Sequence, residues 1–297
     1  MIKDVFVRIP KHRKGLILIS LTAFLWSSSG LFIKLLTLNA FQISFFRSLV
    51  AAITIFAVTL ARKKEFKFET DLISILCSFS FAGILIFFVI ANKFTTAANA
   101  IFLQFTAPIY LLFLEPIFLK SKFKKRNLIT ILVCIFGMVL FFFGKLEFGN
   151  IIGNLIAILS GICFALFSLF LKWKKELHKS VNTINSIVLG NVIVAITCLP
   201  LVFYQLSIGI SDILILIYMG VFQIGLSYII YNEAIKFVSA TESLIIAMLE
   251  AIFNPLWVFF GVGETPSVYA VSGGLLILLA IIFHNFVYEK KKETFAD

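Results

Sequence analysis

The chain has 297 residues, of which 61% are hydrophobic and only 14% charged, against about 45–50% and 25% in ordinary soluble domains. That balance excludes a water-soluble globular protein and points to an all-α polytopic membrane protein. The formal charge of +11 does not imply nucleic acid as a partner, because the basic residues lie in short clusters between apolar runs rather than on a basic domain or stripe.

The apolar residues fall into ten runs, each near the ~20 residues that a bilayer-spanning helix needs. Spans are predicted at 15–37, 42–61, 71–90, 97–119 and 127–143, and then at 151–171, 181–203, 213–234, 241–262 and 268–288. Lys3, Arg8, Lys11, Arg13 and Lys14 precede the first run. That run is too long for the apolar region of a signal peptide and no A-x-A-like site ends it, so it reads as an uncleaved first span.

In the first span Trp26, Gly30 and Lys34 are spaced i, i+4, i+8 and share a helix face. Gly30 either opens space beside Trp26 in a cavity or lets helices pack closely. Lys34 either offers a cation at the outer mouth or snorkels to the outer headgroups. Arg47, a little over one turn into the second span, either attracts an anionic substrate group or binds lipid phosphate or a carboxylate.

The fourth span carries Asn99, Gln104 and Thr106 before Pro108. Proline lacks a backbone donor and frees a carbonyl near mid-membrane, as in the kinked helices of transporters; Gln104 is the pathway candidate there. Glu115, next to Pro116, reads as an ion-pair partner for the basic inner loop. The eighth span has Gln223, Ser227 and Tyr231 at i, i+4, i+8, with Tyr228 beside them. That stripe suits a small substrate with polar and apolar parts, or hydrogen bonds between helices; Tyr231, Asn232 and Glu233 also fit an interfacial belt.

The ninth span holds the main candidate. Glu250 lies nine residues in, about 13–14 Å deep, with Asn254 one turn further on and Pro255 after it. An ionisable group at that depth is costly and marks function. Glu250 is expected to bind a proton and a substrate amine alternately, and so to couple transport to a proton gradient; the alternative is a glutamate that fixes helix packing.

Cys77, Cys134, Cys163 and Cys198 each fall inside an apolar run without CxxC or Cys/His spacing, and His12, His178 and His284 lack ligand spacing. No disulfide framework, metal site or cofactor is indicated. Without a P-loop or Rossmann fingerprint, ATP-driven transport within this chain is not indicated either.

The chain reads as a duplication. At an offset of 143, Ala91 meets Ala234, Lys93 meets Lys236, Phe94 meets Phe237 and Ala97 meets Ala240; at 138, Gly15 meets Gly153, Phe32 meets Phe170 and Lys34 meets Lys172. With the N-terminus inside, inner segments hold 22 basic residues and outer ones only Lys93 and Lys145, as the positive-inside rule requires. Basic Lys120–Arg126 corresponds to 263–269, which has no basic residue. Equivalent loops thus face opposite sides: two inverted five-helix repeats, 15–143 and 151–288.

Leu25-Trp26-Ser27-Ser28-Ser29-Gly30, Phe46-Arg47, Ala97-Ala98-Asn99-Ala100 to Pro108, Tyr228 to Ala234, and Leu249-Glu250 to Asn254-Pro255 together resemble the EamA family of the drug/metabolite transporter superfamily. The resemblance covers nearly the whole chain. It departs at Glu250-Ala251, where the family usually has Glu-Pro, and at Lys120-Ser121, where it usually has Gly-Glu, so that first-half glutamate has no role here. The resemblance implies a bundle around a central cavity and export or exchange of small polar metabolites, amino acids or amphipathic compounds. The expected protein is thus a secondary transporter in the cell membrane, not an enzyme, with the lipid bilayer and a small molecule as partners. The rivals are an uncoupled facilitator and, less favoured, an integral-membrane enzyme acting on lipids.

Overall fold

The computed structural model describes residues 10–62, 71–143, 150–177, 183–204, 206–253, 257 and 267–293, with 285–293 described by backbone alone. Asn254, Pro255 and His178 lie outside the described residues. All regular structure among the described residues is helical. In the first half are α1 (Lys11–Trp26), α2 (Ser29–Leu35), α3 (Ala40–Ala61), α4 (Leu72–Phe94), α5 (Ala97–Gln104), α6 (Ala107–Leu119) and α7 (Lys125–Phe141). In the second are α8 (Ile151–Leu177), α9 (Ile184–Val202), α10 (Ile210–Tyr218), a π-helical segment (Met219–Leu226), α11 (Ser227–Ala234), α12 (Ala240–Ala247) and α13 (Val268–Glu293).

Among the described residues, seven stretches are long and apolar enough to cross a membrane: Lys11–Leu35, Ala40–Ala61, Leu72–Phe94, Ala97–Leu119, Ile151–Leu177, Ile184–Val202 and Ile210–Ala234; Val268–His284 is a shorter apolar helix. Ile53, Phe79, Phe136 and Leu279 are each at least 60% exposed on the outside of the bundle. Water would penalise that surface, whereas lipid tails solvate it. The chain is an all-α, multi-pass membrane protein.

Polar side chains set the helix starts. Asn39 Oδ1 accepts from Phe41 N and Gln42 N, while Gln42 Oε1 accepts from Asn39 N, a reciprocal cap for α3. Asp71 caps α4, Thr96 caps α5 and Ser239 caps α12. Within the bundle α4 packs on α8, α3 on α9, α7 on α13, and α1 on α11 and α12.

Four predicted spans are not continuous α-helix. The first is interrupted at Ser27–Ser28, whose hydroxyls donate back to Phe24 O (2.7 Å) and Leu25 O (3.2 Å); consecutive serines compete with the helical ladder in this way. The fourth breaks at Phe105–Thr106, and Pro108 falls in the first turn of α6 instead of kinking one helix, since a missing N–H costs nothing there. Thr106 Oγ1 donates to Leu103 O at 2.7 Å, satisfying one freed carbonyl. Gly161 on α8 lies against this break: a Cβ there would come within 2.7 Å of Gln104 O, so only glycine fits. The eighth span contains the π segment, and the ninth has a single-turn interruption at Met248 with an Ala251 N to Met248 O bond at 3.1 Å.

The sixth span is longer than expected, running to Leu177 and taking in Lys172, Lys174 and Lys175. Among the described residues Glu115 forms no ion pair with the basic inner loop. Its carboxylate accepts from Ala240 N (3.0 Å) and Thr241 N (2.8 Å), and also from the Thr241 hydroxyl, capping the start of α12. Unpaired N–H groups at a helix start draw a carboxylate strongly.

Candidate functional site

The irregular stretches converge. The breaks at Ser27–Ser28, at Phe105–Thr106 and at Met248, together with the π segment, all border one buried cavity, lined by Trp26, Ser29, Arg47, Ile84, Leu85, Phe88, Gln104, Phe164, Gln223, Ile224, Tyr228 and Glu250. The empty space among these side chains, its open mouth included, is about 370 Å³. The interior is narrow: it has room for water, whereas an organic substrate requires the walls to part.

Arg47 is 1% exposed, so it does not reach lipid phosphate; its Nη2 donates to Leu85 O at 2.8 Å and its Nε has no hydrogen-bond partner. Glu250, just beyond the Met248 interruption in the ninth span, is 4% exposed. Arg47 and Glu250 line the same cavity but form no ion pair among the described residues. Gln104 Nε2 donates to Ser160 Oγ at 2.9 Å, and Gln223 Oε1 is buried without a partner. The site therefore offers one cationic donor, one carboxylate and one spare acceptor to whatever enters it.

Aromatic rings close one side. The Trp26 ring centroid lies 4.9 Å from Tyr228, 5.3 Å from Tyr231 and 5.5 Å from Phe164. The Trp26 indole N–H donates to Ser227 Oγ at 2.9 Å. Tyr231 is wholly buried, with its hydroxyl 2.8 Å from Ser168 Oγ and 2.9 Å from Ser243 Oγ. It belongs to the interior and not to an interfacial belt, because two hydroxyl partners satisfy its O–H there.

Several expected alignments are altered by the helix irregularities. Trp26 lines the cavity and Lys34 does not. Lys34 Nζ donates to Thr95 O at 3.1 Å, and Lys93 Nζ donates to Leu36 O at 3.0 Å, so each lysine caps the end of the other's helix. In the eighth span the i, i+4, i+8 stripe is replaced: Gln223 and Tyr228, five apart, both face the cavity, as the wider π turn dictates. Ser227 and Tyr231 support the wall behind them. Asn99 Nδ2 donates to Asn154 Oδ1 and Thr95 Oγ1, both at 3.0 Å, tying α5 to α8 away from the cavity.

Sequence reasoning missed the apolar part of the lining. Phe164 was within reach of it, lying 138 residues after Trp26, the offset that relates the first and sixth spans. Likewise Leu85 and Tyr228 both line the cavity and stand 143 apart. Ser29, Ile84, Phe88 and Ile224 carry no comparable signal in the sequence.

A multi-pass helical bundle with broken helices around a polar, aromatic-walled cavity defines a membrane transporter. The sequence profile of the EamA-like transporter family matches residues 13–143 and again 151–286, and the chain belongs to that family. An uncharacterized transporter of Clostridium kluyveri is 24% identical, over 94% of this chain and 95% of its own. Another, from Archaeoglobus fulgidus, is 23% identical over 91% and 96%, and the uncharacterized transporter YdfC of Bacillus subtilis is 25% identical over 93% and 92%. One solved crystal structure superposes with a TM-score of 0.78 at 14% identity, covering 92% of this chain and 98% of the other; at that identity the likeness is one of fold. These relationships place the chain with transporters and with no enzyme family.

Proposed function

We propose that the protein is a secondary transporter that exports or exchanges a small organic metabolite bearing both an anionic group and an amine. The observation that carries this reading is the pair Arg47 and Glu250: two buried, oppositely charged side-chain types on one cavity wall, neither satisfied by the other. Arg47 would hold the anionic group, Glu250 the amine, and the Trp26, Phe164 and Tyr228 rings any apolar portion. Glu250 would release its proton when the amine binds and take one up when it leaves, coupling transport to a proton gradient.

Alternating access between two inverted five-helix repeats, 15–143 and 151–288, is the proposed means, with both termini cytoplasmic in a cell membrane. Local contacts support it. Thr96 and Ser239, 143 apart, cap α5 and α12, and both of those helices end eight residues in, just before interruptions at Phe105 and Met248, also 143 apart. A Cβ on Gly15 would strike Phe237 and Val238, and one on Gly153 would strike Phe94 and Thr95. Lys34 donates to Thr95 O, while Lys172, its counterpart at 138, donates to Ile235 O, each at 3.1 Å.

The test is purified protein in proteoliposomes, screened with zwitterionic metabolites and with matched compounds lacking either charge. Preferential movement of zwitterions is expected, with Arg47→Gln relaxing discrimination at the anionic pole and Glu250→Gln at the amine. Movement of singly charged and zwitterionic compounds at equal rates, unchanged in both variants, would refute the reading.

A further inference from the structure

Where α1, α7, α12 and α13 meet, three titratable side chains are buried together outside the transport cavity. His12 is 7% exposed, Glu242 3% and His284 0%. His12 Nε2 lies 2.9 Å from Glu242 Oε1. His284 Nε2 stands 3.9 Å from the same oxygen, and its Nδ1 is 2.8 Å from Thr130 Oγ1.

Hydrogen-bond accounting assigns the protons. A threonine hydroxyl has one hydrogen, and Arg126 O, 3.0 Å from Thr130 Oγ1, can only accept, so both contacts of the hydroxyl are hydrogen bonds only when that hydrogen goes to Arg126 O. Toward His284 the hydroxyl is then an acceptor, so the neutral ring carries its proton on Nδ1. Nε2 is left bare, buried and without a hydrogen-bond partner, with its lone pair turned to a carboxylate. Two acceptors facing one another across this gap leave a place for one proton.

We propose that His284 Nε2 and Glu242 Oε1 form a proton-binding site, separate from Glu250, whose occupation fastens α13 to α12. The proton comes from water at that end of the bundle. It turns two opposed acceptors into a charge-assisted N–H···O bond, which closes toward ~2.8 Å. Among the described residues, the charged and titratable groups that face the site are His12 from α1, Lys124 and Arg126 at the start of α7, and Glu115, which caps the neighbouring turn from α6; together they set the pH at which the proton is taken up. Glu242 lies eight residues before Glu250 in the ninth span, so the joint governs how freely the near end of that span moves. Its consequence for transport, slower opening at this end in acid, rests on the reading of the ninth span as a moving wall. The proton site itself does not.

The experiment is nitrogen-15 imidazole spectroscopy of the full chain in nanodiscs, titrated with pH. The three histidines are assigned by single replacement of His12 and His178. A neutral His284 with its proton on Nδ1 is expected, gaining a second proton on acidification. In Glu242→Gln the midpoint should fall by at least about one pH unit, a tenfold weaker proton affinity. A neutral ring protonated on Nε2, or a midpoint unchanged in Glu242→Gln, overturns the site. Hydrogen–deuterium exchange over 240–247, corrected for intrinsic rates, needs no variant: amide protection should rise in acid, and protection independent of pH overturns the joint. A chain that moves no metabolite yet shows this titration would sink the transport reading and leave the proton site standing.

Discussion

The indole N–H of Trp26 reaches across from α1 to Ser227 Oγ at 2.9 Å, and Ser227 in turn donates to Gln223 O at 2.5 Å, inside the π segment. The ring that walls the cavity is thereby fixed to the helix turn that shapes it. Ser227→Ala should strand a buried donor, at a cost of about 1–3 kcal/mol. A lower melting temperature in detergent, with altered tryptophan fluorescence, is the expected result. Trp26→Phe, which removes donor and mismatch together, should be destabilised less by Ser227→Ala than the parent is.

Glu250→Gln preserves shape and removes ionisation. The variant should retain exchange of substrate across proteoliposomes and lose accumulation driven by an imposed pH difference. Accumulation with the parent's pH dependence would remove Glu250 from coupling.

Glu115→Gln should weaken the cap on α12, because the amide offers one neutral acceptor where the carboxylate offered two charged ones. The expected loss is about 1–2 kcal/mol, seen as faster amide exchange at residues 240–243 without a matching change in α4.

Lys34 ends on a backbone carbonyl and not in the cavity. Lys34→Gln should therefore depress transport of anionic and neutral compounds alike, and Lys172→Gln should resemble it. A loss confined to anionic compounds would instead make Lys34 an attractant at the mouth.

The topology proposal is tested at Ser267, exposed at the start of α13. Cysteine placed there in a cysteine-free background should react with an impermeant thiol reagent on intact cells. Reaction only after permeabilisation would invert the proposed orientation.

The bundle was legible because a bilayer imposes length and apolarity on every span, and such constraints survive in composition alone. The candidate site is legible on several grounds: Glu250 as an ionisable group deep in an apolar run, Gln104 by its place before Pro108, Gln223 by its spacing with Ser227 and Tyr231, and Arg47 as a charge inside the second span; each lines the cavity. What the sequence hid was rotation. Ser227 and Tyr231 share a regular helix face with Gln223 on paper, but the π segment interrupts that face, and Lys34 turns to the Thr95 carbonyl instead of the cavity. Whether a turn closes with four residues or five is decided by packing against neighbours, which no local pattern records.

The wide turn at Met219–Leu226 also bears on how this protein can change. Rewound as ordinary α-helix with the sequence unchanged, this turn would carry everything beyond it about 100° further round. Tyr228 would leave the cavity and another side chain would take its place, with no change to the lipid-facing composition of the other spans. The chain thus holds at this one turn a means of exchanging one cavity lining for another by local winding alone, without unfolding a span.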